Sequence, residues 1–129
     1  MEEQNNLSLG HFLGLFMAGG AGVCLRAILI PALNQALSSY LANIGLTIVN
    51  LLGCLAIGLL AVWIANEPLR DILLVGFLGG FTTYSTFALV LSELWTSARW
   101  FVLIAQLFLH VGGGIFCVVA GLWLGRNLS

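Results

Sequence analysis

Four long apolar segments joined by short connections most constrain what this chain can fold into. They cover roughly residues 12–30, 44–65, 72–95 and 100–124, and a helix needs about 20 apolar residues to cross a bilayer. Of the 129 residues, 60% are hydrophobic and 7% are charged, which leaves too little polar surface for a soluble domain. The sequence therefore predicts an all-α membrane protein with four transmembrane helices in a single domain, residues 1–129.

The predicted connections contain both prolines of the chain. Pro31 opens the first connection, residues 31–43, and Pro68 lies in the second, residues 66–71. We therefore expect each proline at a turn, where it interrupts no helix. Acidic rather than basic residues precede the first apolar segment, which also contains Arg26. This pattern is unlike a cleaved signal peptide, so the segment is predicted to remain as a span.

The third apolar segment contains a run of small and polar residues from Gly79 to Phe87. The run reads Gly-Gly-Phe-Thr-Thr-Tyr-Ser-Thr-Phe. Adjacent glycines and four hydroxyl side chains loosen a helix and expose backbone carbonyls, which lipid does not satisfy. We therefore predict that the third helix is broken in mid-membrane and that the break builds a site for an ion or substrate.

The charged residues give no clear orientation in the membrane. The chain has no lysine, and its four arginines divide almost evenly. Arg70 and Arg126 fall on the N-terminal side, Arg99 falls on the other side, and Arg26 joins Arg99 if its side chain extends outward. Because basic loop residues normally set topology, we predict dual topology and an antiparallel dimer. The alternative is that four arginines are too few to decide.

Small residues inside the predicted helices indicate close helix packing. The chain has 16 glycines, and Gly10, Gly14, Ala18 and Gly22 recur at every fourth position of the first span. Such a stripe lets another helix approach backbone to backbone. The three cysteines are interpreted as small apolar residues, not as a disulfide framework or a metal site.

Polar side chains at membrane depth form three faces. The second span carries Thr47, Asn50 and Cys54 one turn apart on a weakly polar face. The third carries Thr82, Thr83, Ser85 and Thr86, and the fourth carries Gln106, His110 and Gly114 at intervals of four. Asn50, Gln106 and His110 have an alternative interpretation as interhelical hydrogen bonds without a transport role. Three such faces in one small protein favour a polar pathway.

These polar groups are mainly hydrogen-bond donors, which suit an anion. No Asp, Glu or Lys lies near mid-membrane, whereas a proton-coupled pump usually has a titratable carboxylate in its path. Phe81, Tyr84 and Phe87 recur at three-residue spacing, and aromatic ring edges carry partial positive charge. The pattern favours a small, strongly hydrated anion, unless the three rings only pack a helix face.

The motifs resemble the Fluc/CrcB fluoride channels in order, spacing and chain length, over essentially all four spans. They are Gly19-Gly20-Ala21-Gly22 with Arg26, Val49-Asn50-Leu51 with Gly53 and Gly58, and the run from Gly79 to Phe87. The resemblance implies a passive channel, not an enzyme, that exports fluoride from the cytoplasm across a bacterial inner membrane and relieves fluoride toxicity. It further implies an antiparallel homodimer with two pores, a structural sodium ion at the dimer interface and no nucleic-acid partner.

The resemblance also implies roles for individual residues. Tyr84 and Phe87 would be the aromatic residues of the pore, and Asn50 the amide that meets fluoride. The backbone carbonyls of Gly79 and Thr82 would bind sodium, and Arg26 would be a structural residue of the first helix. His110 would lie in the polar track of the fourth helix. The full predicted pore set is Asn50, Thr83, Tyr84, Ser85, Thr86, Phe87, Gln106 and His110.

Four positions depart from the family pattern. Tyr84 stands where Phe is usual, Val90 where an acidic residue is common, Leu46 where Thr is usual, and Gly114 where the polar track has Ser. These departures leave open a dimer with a divergent sister subunit. The main alternative function is a small four-helix proton-coupled exporter of drugs or cations, but such exporters use a buried carboxylate in the first helix, where this chain has Arg26. A non-transporting assembly factor would not explain the hydroxyl-rich break.

Overall fold

The computed structural model of the chain describes residues 8–37 and 43–128. Within them lie four spans that are long and apolar enough to cross a membrane: Leu9–Leu37, Ile44–Trp63, Glu67–Thr96 and Trp100–Asn127. We call them the first to fourth spans. The described residues contain no strand, so the predicted all-α fold with four transmembrane helices is confirmed.

The first span continues through Pro31, so the predicted turn at this residue is wrong. Proline removes one helical hydrogen bond and crowds the preceding turn, but contacts with the second span hold the helix beyond it. Asn34 Oδ1 accepts a hydrogen bond of 2.8 Å from the backbone N–H of Gly45, and Leu33 packs against a buried apolar cluster. Pro68 interrupts no helix, as predicted, but it lies in the first turn of the helix Glu67–Arg70. Most of the predicted connection, residues 66–71, is therefore helical and not a turn.

The third span is broken near its middle, as predicted. Its first half comprises Glu67–Arg70, a π-helical stretch Asp71–Leu78 and a last α-helical turn Gly79–Phe81. Thr82 and Thr83 then adopt extended backbone conformations, and the second half is the helix Tyr84–Thr96. The break falls at Thr82 and Thr83, within the predicted run. Two side chains replace helical hydrogen bonds there: Thr83 Oγ1 accepts from the N–H of Thr86, and Asn50 Oδ1 accepts from the N–H of Thr83.

The fourth span contains a second π-helical stretch. Its α-helical parts are Trp100–Phe108 and Gly114–Asn127, and the π-helical stretch Leu109–Gly113 lies between them. π-Helical turns are rare and occur frequently at functional sites. This stretch includes His110, one of the predicted pore residues.

Glycines set the closest approaches between spans. A Cβ on Gly22 of the first span would overlap the carbonyl oxygen of Phe77 and lie 2.8 Å from the amide nitrogen of Phe81. Gly58 of the second span and Gly121 of the fourth make a similar backbone contact. The predicted stripe of small residues on the first span therefore packs against the first half of the third span.

Two small apolar clusters form the core. One contains Leu46, Phe87, Val90 and Leu94, and the other contains Val49, Leu78 and Phe81. Many other large apolar side chains are exposed along all four spans. An apolar surface of this extent fits a protein surrounded by lipid or by further subunits.

Candidate functional site

A cavity of about 310 Å³ lies between the second, third and fourth spans at the level of the helix break. Among the residues that line it in the described part of the chain, none is Asp, Glu, Lys or Arg. The polar part of the wall comes from an amide, two threonines, a phenol, an imidazole and a thiol. The lining residues are Asn50, Gly53, Cys54, Ile57, Leu74, Leu78, Gly79, Thr82, Thr83, Tyr84, Phe87, His110 and Val111.

Asn50 joins the second span to the break in the third span by two hydrogen bonds. Its Nδ2 donates to the carbonyl oxygen of Thr83 at 3.2 Å, and its Oδ1 accepts from the backbone N–H of Thr83 at 2.9 Å. In a continuous helix that N–H would bond to the carbonyl of Gly79. The amide side chain therefore replaces a helical hydrogen bond and holds the break in a fixed position at the cavity wall.

Hydroxyl groups complete the break. Thr83 is the N-cap of the following helix, since its Oγ1 accepts from the backbone N–H of Thr86 at 3.3 Å. The same oxygen lies 3.3 Å from Ser85 Oγ and 3.1 Å from Thr86 Oγ1. Thr82 Oγ1 donates to the carbonyl of Leu78 at 3.0 Å. Of these bonds, the one from the N–H of Thr86 satisfies a backbone group that the break would otherwise leave unpaired in lipid.

Arg26 brings a positive charge to the break from the first span. Its Nη1 donates to the carbonyl oxygen of Thr82 at 3.0 Å. Thr82 O is one of the two carbonyls predicted as sodium ligands, and the other belongs to Gly79, which is exposed beside the cavity. A carbonyl oxygen has two lone pairs, so Arg26 occupies one acceptor position of Thr82 O and leaves the second position for another ligand.

The aromatic residues of the run separate into two groups. Tyr84 and Phe87 line the cavity, with ring centroids 5.9 Å apart in an edge-to-face arrangement. Tyr84 is 80% exposed, whereas Phe87 is 5% exposed. Phe81 points elsewhere, because it is buried in the second apolar cluster and stacks on Phe77 with centroids 6.1 Å apart. The three-residue spacing thus does not place all three rings on one surface.

His110 enters the cavity wall from the fourth span. Its ring stacks on Phe87, with centroids 4.1 Å apart, and its Nδ1 lies 3.0 Å from the carbonyl oxygen of Gln106. Gln106 itself is 1% exposed, and its Oε1 accepts from Thr47 Oγ1 at 2.8 Å. The buried Thr47–Gln106 pair therefore joins the second and fourth spans one turn away from His110.

The structure brings most of the predicted site residues to the cavity, but not all. Those in the wall are Asn50, Gly79, Thr82, Thr83, Tyr84, Phe87 and His110. Ser85, Thr86 and Gln106 are outside the lining set: the first two are exposed next to Thr83, and Gln106 is buried behind His110. Their contact with fluoride, like that of the lining residues, stays a prediction.

Cys54 lines the cavity, although it was not among the predicted pore residues; the sequence had placed it on one weakly polar face with Asn50. It lies one helical turn after Asn50, and its Sγ would be 3.5 Å from a Cβ on Gly114. The four-residue spacing from Asn50 was the signal for that shared face. Its interpretation as a small apolar residue is incomplete, because Cys54 shares the cavity face with Asn50.

Comparisons with known proteins agree with the resemblance in the sequence motifs. Residues 13–122 match the family described as CrcB-like protein, Camphor Resistance (CrcB). The chain is 40% identical over 119 residues to the fluoride-specific ion channel FluC of Dichelobacter nodosus, covering 89% of this chain and 96% of that one. It is 32% identical over 123 residues to FluC of Chelativorans sp., covering 92% and 98%. With FluC of Chloroflexus aurantiacus the identity is 45% over 87 residues, covering 64% and 69%.

Proposed function

Because this chain belongs to the CrcB-like family, we propose that it is a fluoride-selective ion channel in the inner membrane of a bacterium. It is a multi-pass integral membrane protein, and its matched relatives are bacterial proteins named fluoride-specific ion channels. The observation that carries the proposal is the cavity at the helix break. Its wall offers amide, hydroxyl and ring-edge groups and contains no carboxylate among the described residues.

Selectivity follows from the kind of groups that replace the water around the ion. A small anion that leaves its hydration shell needs short contacts with donors held in place. Asn50 is fixed by two hydrogen bonds to Thr83, and the rings of Tyr84 and Phe87 lie edge to face. We assign these three residues, with Thr83 and His110, to the fluoride pathway. A larger anion such as chloride makes poorer contacts with a set of this size.

Passive transport is the mode that the site supports. A proton-coupled exporter of the alternative class uses a buried carboxylate in the first helix, but this chain has Arg26 there, and its guanidinium bonds to Thr82 O. A fixed positive charge at the break favours an anion over a cationic drug. The exporter alternative is therefore not favoured.

The exposed polar break supports an assembly of two chains. Tyr84, Ser85, Thr86 and Gly79 are exposed in the protomer, and lipid cannot satisfy polar groups at membrane depth. A second copy that crosses at the break in the opposite orientation would cover them. An antiparallel homodimer is our proposal, and a divergent sister subunit is the alternative that mass spectrometry of the purified assembly would reveal.

A structural sodium ion at the crossing of two breaks is part of the same proposal. The break directs the N–H of Thr83 to Asn50 and away from Gly79 O, which leaves a hard oxygen ligand of the kind that small cations prefer. Thr82 O would be shared with Arg26. The carbonyls of Gly79 and Thr82 from two chains would hold the ion and supply no other chemistry.

Ion flux from liposomes tests the proposed function. Vesicles that contain the purified protein are loaded with fluoride or with chloride, and efflux is followed with ion-selective electrodes. We expect fluoride to leave rapidly without a pH gradient or nucleotide, and chloride to stay at the level of protein-free vesicles. Equal efflux of the two anions, or fluoride efflux that requires a proton gradient, would exclude a passive fluoride channel.

A further inference from the structure

His110 is held in the cavity wall by two contacts that fix its ring. One face stacks on Phe87, with centroids 4.1 Å apart and ring planes 18° apart. Its Nδ1 lies 3.0 Å from the carbonyl oxygen of Gln106, one turn earlier in the fourth span. Since one face and one nitrogen are fixed, the position of the other nitrogen, Nε2, is fixed as well.

The bond to Gln106 also determines which nitrogen carries the proton in the neutral ring. A carbonyl oxygen can only accept, so Nδ1 is the donor and Nε2 of the neutral ring is an acceptor. Nε2 is buried and has no hydrogen-bond partner within residues 8–37 and 43–128. The neutral ring therefore offers an anion no donor at Nε2, in contrast to the donors of Asn50 and Thr83.

We propose that Nε2 of His110 becomes a fluoride contact when the ring is protonated, so that the fluoride affinity of this pore rises as the pH falls. This inference rests on the proposed fluoride channel. Protonation converts Nε2 from an acceptor into an N–H donor that carries positive charge, while Nδ1 keeps its bond to Gln106. Hydrogen bonds with a charged partner are shorter and stronger than neutral ones. The proton stays on the ring as the anion passes, so transport remains passive.

Other titratable or charged groups near His110 do not supply the same change. Cys54 of the second span and Tyr84 of the third line the same cavity, and Cys117 lies further along the fourth span. Thiols and phenols ordinarily titrate above the range of pH 5 to 8 in which histidine changes charge. Arg26, which reaches Thr82 O from the first span, keeps its charge throughout.

Fluoride currents across planar lipid bilayers test this inference, because the neutral hydrogen fluoride that forms at low pH carries no current. For the wild-type protein, we expect the free fluoride concentration that half-saturates the current to fall about tenfold between about pH 8 and about pH 5.5. His110→Gln presents an amide donor near the position of Nε2 at every pH, so its half-saturating concentration should not depend on pH. His11→Gln changes the other histidine, which faces Asp71 outside the cavity, and should keep the wild-type profile.

A wild-type profile without pH dependence, or a His110→Gln variant that keeps the wild-type pH dependence, would overturn the inference. Absence of fluoride current in the wild type at every pH would instead overturn the proposed channel function. If His110→Gln fails to assemble, ¹⁵N resonances of the wild-type histidine rings in lipid nanodiscs decide the question. Because proton binding and fluoride binding would be linked, fluoride at fixed pH should shift Nε2 of His110 toward its protonated value. An unchanged resonance would overturn the inference.

Discussion

Asn50 shows how one residue can serve both the fold and the site. Its amide accepts from the N–H and donates to the carbonyl of the same residue, Thr83. Only a side chain with both a donor and an acceptor can form this pair. From the sequence, a transport role and a helix-packing role were alternatives for Asn50. The structure shows the packing role, and the position of Asn50 in the cavity wall leaves its second amide hydrogen available to the proposed role.

We expect Asn50→Asp to abolish fluoride efflux. The carboxylate can still accept from Thr83 N–H, but it cannot donate to Thr83 O, and its negative charge repels an anion in the cavity. The matched control is Asn66→Asp, since Asn66 caps the short helix at Glu67–Arg70 by accepting from Leu69 N–H, and Asp caps equally well. Efflux is measured with a fluoride electrode on assembled protein. Near-normal efflux from Asn50→Asp would mean that Asn50 only joins the helices.

At the scale of elements, the sequence predicted where helices are and where the third one breaks. Apolar length predicted the four spans, and the run of glycines and hydroxyl residues from Gly79 to Phe87 predicted the break, which falls at Thr82 and Thr83 while Gly79 and Gly80 remain helical. Two features could not be predicted. The helix beyond Pro31 depends on a contact between Asn34 and Gly45, which belong to different spans, and the π-helical stretches have no clear residue signature.

The directions of the side chains near the break also could not be predicted from the sequence. Regular spacing gives one face only while the helix is continuous, and the extended residues Thr82 and Thr83 reorient the helix after the break. Phe81 therefore lies in the core while Tyr84 and Phe87 line the cavity. Two departures from the family pattern are also explained only by the three-dimensional structure. Leu46 and Val90 are buried in the same apolar cluster beside Phe87, so the two apolar residues accommodate each other.

The packing of the first span on the third gives a prediction at this scale. A Cβ on Gly22 would overlap backbone atoms of Phe77 and Phe81, which cannot move away as a flexible side chain can. We expect Gly22→Ala to destabilise the protein by roughly 1–3 kcal/mol. Gly20→Ala is the control on the same helix, since nothing lies within 4 Å of its added Cβ and alanine favours a helix by up to about 1 kcal/mol. Equal thermal unfolding of the two variants in detergent would contradict this packing.

At the scale of the whole molecule, the protomer has its polar break near a surface. Tyr84 is 80% exposed, and Ser85 and Thr86 are exposed beside it. The sequence supplied two reasons for a second copy, the balanced arginines and the polar break, and the structure adds the exposure of that break. In the proposed dimer, the cavity at the break would form one wall of the anion path, and the second copy would complete it.

The cation proposed for the crossing of the two breaks gives a prediction at the scale of the assembly. The ligands of this cation would be the backbone carbonyls of Gly79 and Thr82. Thr82→Ser should therefore preserve the cation site, since serine keeps the carbonyl and a hydroxyl that can bond to Leu78 O. Inserting one residue between Gly79 and Thr82 should destroy both the site and the dimer.

Thermal unfolding and fluoride efflux are measured in sodium and in a large organic cation that cannot enter a carbonyl cage. An ion at about 100 times its dissociation constant stabilises a protein by about 2.7 kcal/mol, so replacement of sodium should lower the unfolding temperature of the wild type and of Thr82→Ser alike. The insertion variant should show no such dependence. Unchanged unfolding and efflux of the wild type without sodium would exclude a structural cation. In that case the charge of Arg26, already bonded to Thr82 O at 3.0 Å, would be the cation that offsets the cost of an anion in the membrane.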